Sequence, residues 1–284
     1  MVWINYLLNR FQIIPLSLLV ISDVLVVSRL TEEPALNYVL MGTLVMFYLF
    51  HNRVADDHRD YSFDSEHYKD RALQQGKLNL RTFNILAWLS ILSILGICAY
   101  FGLQAFFCGL ILVSVARWVR IDFGFSEDFK VDYFFLYNFL NMLQMLVLQI
   151  SIYVILLGTI DFETSIWVHV AMIFMLSLHA EWTRKIQPQA RPAMDYYSDR
   201  LGFGKSLRYW LVHGLFVVFI TVILSGMLQL PSTYVIALQV VFILILFLGV
   251  IAFARWRNKK GENLFWAAFL LFYLGENLMI SFLR

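Results

Sequence analysis

Long apolar runs separated by short charged or turn-rich stretches set the pattern of this chain. Nine such runs read as helices, at about 7–27, 36–51, 82–100, 103–119, 133–157, 165–180, 207–228, 233–253 and 264–283. Each is close to the roughly 20 residues a helix needs to cross a hydrocarbon layer about 30 Å thick. Strands of this length would carry unpaired backbone groups into lipid unless they closed into a barrel, and the strict alternation a barrel requires is missing. The pattern therefore predicts an all-α integral membrane protein.

Composition agrees with the pattern. Of 284 residues, 60% are hydrophobic and 15% charged, with a mean hydropathy of +0.69, which leaves too little polar surface to enclose a core of this size in water. A single domain spanning 1–284 and embedded in the lipid bilayer is expected. The first run contains Asp23 and lacks a small-residue cleavage site, and many further runs follow it, so it reads as a retained helix. Cys98 and Cys108 both fall inside apolar segments, which provides neither a disulfide framework nor a thiolate metal site.

Charge fixes an orientation. With the N-terminus in the cytosol, the inner loops near 53–81, 117–131, 182–208 and 254–262 hold six, three, six and four Lys or Arg, and Arg10 brings the inside total to twenty of twenty-two. Arg29 and Arg284 remain outside, where Glu32, Glu33, Asp161 and Glu163 lie in tight connections. Such a split follows the positive-inside rule and places the two long loops, and any chemistry they carry, on the cytosolic side.

The first long loop runs from His51-Asn52-Arg53-Val54-Ala55-Asp56-Asp57-His58-Arg59-Asp60 to Lys69-Asp70-Arg71-Ala72-Leu73-Gln74-Gln75-Gly76. Asn52, Asp56 and Asp60 are spaced i, i+4, i+8, so a helix continuing out of the membrane stacks three oxygen ligands on one face. Carboxylates this close repel unless a cation lies between them, and hard oxygen ligands without Cys suit Mg²⁺ shared with substrate phosphates. Asp57 and Asp64 lie off that register and are expected to tolerate replacement better. The second long loop holds Glu181, Arg184 and Lys185, then Asp195-Tyr196-Tyr197-Ser198-Asp199, then Gly202-Phe203-Gly204-Lys205-Ser206. Two carboxylates are again four apart, followed by a Gly-rich turn, a Lys and a helix N-terminus, a combination suited to a phosphate.

This arrangement resembles the UbiA superfamily of intramembrane prenyltransferases, with N-x-x-x-D-x-x-x-D after the second of nine helices and D-x-x-x-D after the sixth. The resemblance covers nearly the whole chain. It implies nine transmembrane helices in one bundle around a central cavity that opens to the cytosolic side. It also implies Mg²⁺ bound by Asn52, Asp56, Asp60, Asp195 and Asp199, with Asp56, Asp60, Asp195 and Asp199 as the catalytic carboxylates. Arg71, in a segment similar to R-P-L-x-x-G, and Lys205, six after the last Asp, would contact the diphosphate. The sequence departs from the commoner pattern at Arg53, in place of a frequent Asp, and at Ala72, in place of Pro. Its first loop is about two residues longer, and Pro188 stands where an acidic residue is frequent. Glu181 with Arg184 and Lys185 resembles a less characterised bacterial branch.

The resemblance implies a transferase that moves a prenyl group from a polyisoprenyl diphosphate to an aromatic or other lipophilic acceptor, in a bacterial inner membrane with its site facing the cytosol. The polar residues Arg184, Lys185, Gln187, Gln189 and Arg191 beside the second motif suit a polar-headed acceptor. The same metal site would serve a membrane terpene cyclase. A cation transporter is the reading from another class, opposed by Asp clusters in loops instead of at the midplane. No nucleic-acid partner is expected. Elsewhere, Asp23 and Glu276 read as buried hydrogen-bonded or protonated groups, and Asn138, Asn141 and Gln144 form a stripe on one helix that suits packing more than a cavity wall. Gly96, Gly158 and Gly249 could serve internal packing or contacts between chains, which leaves the oligomeric state open.

Overall fold

The computed structural model describes residues 2–189 and 196–283. Thirteen α-helices are formed among them: α1 (Val2–Asn9), α2 (Ile13–Thr31), α3 (Ala35–Arg59), α4 (Tyr61–His67), α5 (Leu80–Tyr100), α6 (Leu103–Arg120), α7 (Glu127–Asp132), α8 (Phe134–Leu157), α9 (Thr164–Arg184), α10 (Tyr197–Leu201), α11 (Phe203–Met227), α12 (Ser232–Arg255) and α13 (Lys259–Phe282). There is no strand among the described residues. Eight of these helices, α2, α5, α6, α8, α9, α11, α12 and α13, are long and apolar enough to cross a membrane. The remaining long helix, α3, was expected as a ninth span. It runs 25 residues, but its last third carries His51, Asn52, Arg53, Asp56, Asp57, His58 and Arg59, so its apolar stretch is shorter than its helix.

Large apolar side chains line the outer faces of these helices: Ile85, Trp88 and Leu92 on α5, and Ile236, Val240 and Leu244 on α12, are all exposed. In water such a surface would be unstable; against hydrocarbon it costs nothing. The chain is a multi-pass integral membrane protein.

The expected first helix is two. α1 and α2 meet at a break where Gln12 adopts φ 55°, and Pro15 sits in the first turn of α2, where its missing N–H and fixed φ are tolerated. α1 is held by packing of Tyr6 and Phe11 on Val54, Leu73, Leu78 and Phe83, with the Tyr6 and Phe83 rings edge-on at 5.1 Å.

The chain forms two compact units, one comprising the stretch through Val24 together with Thr31–Ile160, the other comprising Leu25–Leu30 and the chain from Asp161 onward. In the first, α3 packs on α5, α5 on α6, and α6 on α8. In the second, α9, α11, α12 and α13 pack on one another. Small residues set the closest approaches there: a Cβ built on Gly249 of α12 would lie 2.5 Å from Ala268 Cβ of α13. Gly249 thus serves internal packing, and Gly158 ends α8 in the left-handed conformation, φ 66°, that a β-carbon disfavours.

Hairpin connections alternate in length. Residues 32–34, 101–102, 158–163 and 228–231 make short connections, whereas 60–79 and 185–202 are long, as the sequence anticipates.

Candidate functional site

α3 carries the first motif. Its helix continues unbroken through Arg59, and Asp60 is its C-cap, with the Asp60 N–H donating to Asp56 O at 2.9 Å. Asn52 and Asp56 therefore share one helical face with Asp60 at its end, as the spacing anticipates. Asn52 Nδ2 donates to Gln144 Oε1 of α8 at 2.7 Å, and Tyr48 Oη donates to the same oxygen at 3.2 Å. That arrangement turns Asn52 Oδ1 into a buried acceptor with no donor among the described residues. Gln144, assigned from sequence to packing, is the residue that orients Asn52.

A guanidinium already bridges the two carboxylates. Arg59 Nη2 donates to Asp56 Oδ1 at 3.0 Å and Arg59 Nε to Asp60 Oδ1 at 3.1 Å, while Arg59 Nη1 reaches Asp122 Oδ1 at 3.1 Å. Burial disfavours the Arg59 charge, but Asp56, Asp60 and Asp122 together hold its pKa above the ordinary arginine value. Asp122 is buried in the turn after α6 and also accepts from Lys130 Nζ and Tyr137 Oη, each at 2.6 Å. It and Phe123 adopt positive φ, 50° and 57°, conformations that the surrounding contacts must sustain. Neither Asp122 nor Arg59 stands out in the sequence, since each is one of several charges of both signs in its own inner loop.

Asp56 and Asp57 diverge because adjacent helical residues point about 100° apart. Asp57 faces α1, where Oδ2 accepts from Tyr6 Oη at 2.6 Å and Oδ1 from Arg10 Nε at 3.0 Å and Arg53 Nη2 at 2.5 Å. Burial pushes its pKa up, yet Arg53 and Arg10 outweigh that and hold it below the usual carboxylate value. Asp64 is likewise buried, accepting from Arg10 Nη2 at 3.2 Å and pairing with Arg71. Asp57 and Asp64 thus neutralise part-buried guanidinium groups, a structural role that their place off the motif register does not reveal. Arg71 also stacks its guanidinium on the Tyr68 ring at 3.8 Å and lines a cavity of about 500 Å³ beneath α1.

The second motif lies in the other unit. Asp195, Arg191 and the chain between lie outside the described residues. Asp199 is exposed on α10, where its carboxylate accepts from Tyr196 N at 3.3 Å. Gly202 caps α11 with φ 80°, and Lys205 is exposed in the first turn of that helix, so the Gly-turn, helix N-terminus and lysine occur together as expected, starting four residues earlier than the apolar run suggests. Arg184 and Lys185 both pair with Glu181, at 2.9 and 3.1 Å, within α9 and its cap.

Two buried acids of the spans have local partners. Gln149 donates to Asp23 at 3.1 Å and Gln239 to Glu276 at 2.7 Å, while Glu276 Oε1 is buried without a hydrogen-bond donor among the described residues. His179 and His213 approach to 3.4 Å, and no group of three His, Cys, Asp or Glu that could hold a metal is found among the described residues.

Solved structures share this arrangement of helices. An apo structure of a UbiA homolog from Aeropyrum pernix K1 superimposes with a TM-score of 0.68 over 94% of this chain and 98% of that one, at 14% sequence identity. The chain has the UbiA fold. A structure of a digeranylgeranylglyceryl phosphate synthase shares the UbiA fold at a TM-score of 0.58, also 14% identical, covering 96% of this chain and 99% of that one. No protein-family model and no curated protein sequence matches the chain. The UbiA fold persists at such low identity because lipid-facing positions demand only apolar character, which many sequences satisfy.

Proposed function

We propose that this protein is a Mg²⁺-dependent intramembrane prenyltransferase that moves a prenyl group from a polyisoprenyl diphosphate to an aromatic or other lipophilic acceptor. The observation that carries the proposal is the end of α3, where Asp56 and Asp60 converge on one cation and Asn52 presents a buried acceptor without a donor, on a chain with the UbiA fold. An oxygen-only donor set of half-exposed carboxylates that already attracts a cation fits a hard divalent ion. Asn52, Asp56, Asp60, Asp195 and Asp199 would hold Mg²⁺, which supplies charge neutralisation for a departing diphosphate.

The chain's own residues do the rest. Gln144 and Tyr48 fix the Asn52 amide, and the capped α3 terminus fixes the spacing of Asp56 and Asp60. Lys205 and the first N–H groups of α11 offer positive potential to a phosphate, and Arg71 offers a guanidinium whose orientation Asp64 and Tyr68 set. The membrane-spanning helices hold the isoprenoid tail away from water, which would otherwise quench an allylic cation. The positive-inside split supports a cytosolic N-terminus and a cytosolic site in a bacterial inner membrane.

Purified protein given Mg²⁺, a panel of prenyl diphosphates and candidate acceptors should release diphosphate and form prenylated acceptor, identified by mass spectrometry. Rapid conversion to a cyclic hydrocarbon without acceptor would replace transfer with cyclisation at the same site. No magnesium-dependent diphosphate release with any prenyl donor would reject both enzymes.

A further inference from the structure

Arg59 commits all three guanidinium nitrogens to three different carboxylates. Nη2 and Nε hold Asp56 and Asp60, and Nη1 holds Asp122. The first two acids are half-exposed, whereas Asp122 is buried and independently fixed by Lys130 and Tyr137. Strained backbone at Asp122 and Phe123 adds that this carboxylate is held in place by its surroundings. One end of the guanidinium therefore has a fixed anchor, and the other occupies one oxygen, Oδ1, of each motif carboxylate that a divalent ion would draw on. Mg²⁺ binds oxygen at about 2.0–2.1 Å with near-octahedral demands, so it and the guanidinium cannot use the same lone pairs together.

We propose that Arg59 is an internal competitor for metal at Asp56 and Asp60, and that Asp122 retains its guanidinium when metal displaces it, so that this pair sets the metal affinity of the site. The inference rests on the metal-dependent reading above. It makes Arg59 and Asp122 positioning residues: they act through the two motif carboxylates. An unguarded pair of acids four apart has no attached cation for the metal to displace, whereas a guarded pair demands that the incoming metal, with its diphosphate, outcompete one.

The test is a Mn²⁺ titration of purified protein followed by electron paramagnetic resonance, with and without inorganic diphosphate, and with Asp56→Ala defining the specific signal. Arg59→Gln should bind Mn²⁺ more tightly than wild type, by roughly fivefold for the loss of two half-exposed pairs. Asp122→Asn should weaken binding, because the displaced guanidinium loses its acceptor. Placed in the Arg59→Gln background, Asp122→Asn should change nothing, since it acts only through Arg59; additive effects would mean through-space charge alone and overturn the inference. Arg59→Lys keeps the charge but lacks the three-way fork, so it should also tighten binding, and it carries the test if Arg59→Gln fails to fold. Equal affinity in wild type, Arg59→Gln and Arg59→Lys overturns the inference and leaves the metal site standing. A wild type without any Mn²⁺ signal that Asp56→Ala removes overturns the metal reading and the inference together.

Discussion

Asp57 accepts from Tyr6, Arg10 and Arg53, so Asp57→Ala leaves two guanidinium groups and a phenol without their common acceptor. Breaking a buried pair in this way costs about 3 kcal/mol, and denaturant unfolding of the purified protein should show it, while the half-exposed Asp56→Ala should unfold near the wild-type midpoint. Since the folded-state pKa of Asp57 lies below its unfolded value, its stabilising contribution is complete above about pH 4 and is lost as the pH falls through the lower folded value. Wild-type stability should accordingly drop more steeply than that of Asp57→Asn as the pH falls below about 4. Activity should sort the acids differently: Asp56→Ala and Asp199→Ala should each abolish turnover, and the double variant should be hardly worse than either, because residues serving one metal–diphosphate unit are non-additive. Losses that multiplied in the double variant would separate the two acids. The spacing Asn52, Asp56, Asp60 was legible in sequence because it is a helical repeat. Arg59, Asp122 and Gln144 were not, because their role depends on which distant carboxylate or amide each one meets.

The helices show the same division. Long apolar runs located α5, α6, α8, α9, α11, α12 and α13 closely, since lipid requires a span to be apolar along its length. The break between α1 and α2 was read as continuous helix, although Pro15 signalled a first turn; what fixes it is the docking of Tyr6, Phe11 and Arg10 against α3 and the loop before α5. At the α12–α13 contact, Gly249→Val should destabilise the protein by about 1–3 kcal/mol, since the new β-carbon would meet Ala268. Ala268→Gly in the same chain should restore part of the loss, measured by thermal unfolding in detergent. No recovery would indicate that backbone change within α12, and not this contact, carries the cost.

For the molecule as a whole, reporter fusions after Asp64, Tyr197 and Arg257 should read cytosolic and fusions at Glu32 and Asp161 external, as the twenty-to-two division of basic residues demands. A cytosolic reading at Glu32 or Asp161 would break the arrangement of spans and the shared sidedness of both motifs. Sequence by itself determined the solvent, the class of fold, the length of the inner loops and the register of the acidic motifs, because each depends on local spacing or on total apolar content. Only the tertiary structure decided that α3 ends in a guanidinium-bridged acid pair, that Asp57 and Asp64 are buried anchors for arginines, and that Gly249 is a packing residue. Those outcomes depend on which side chains meet across helices far apart in the chain, and neither composition nor periodicity encodes a meeting.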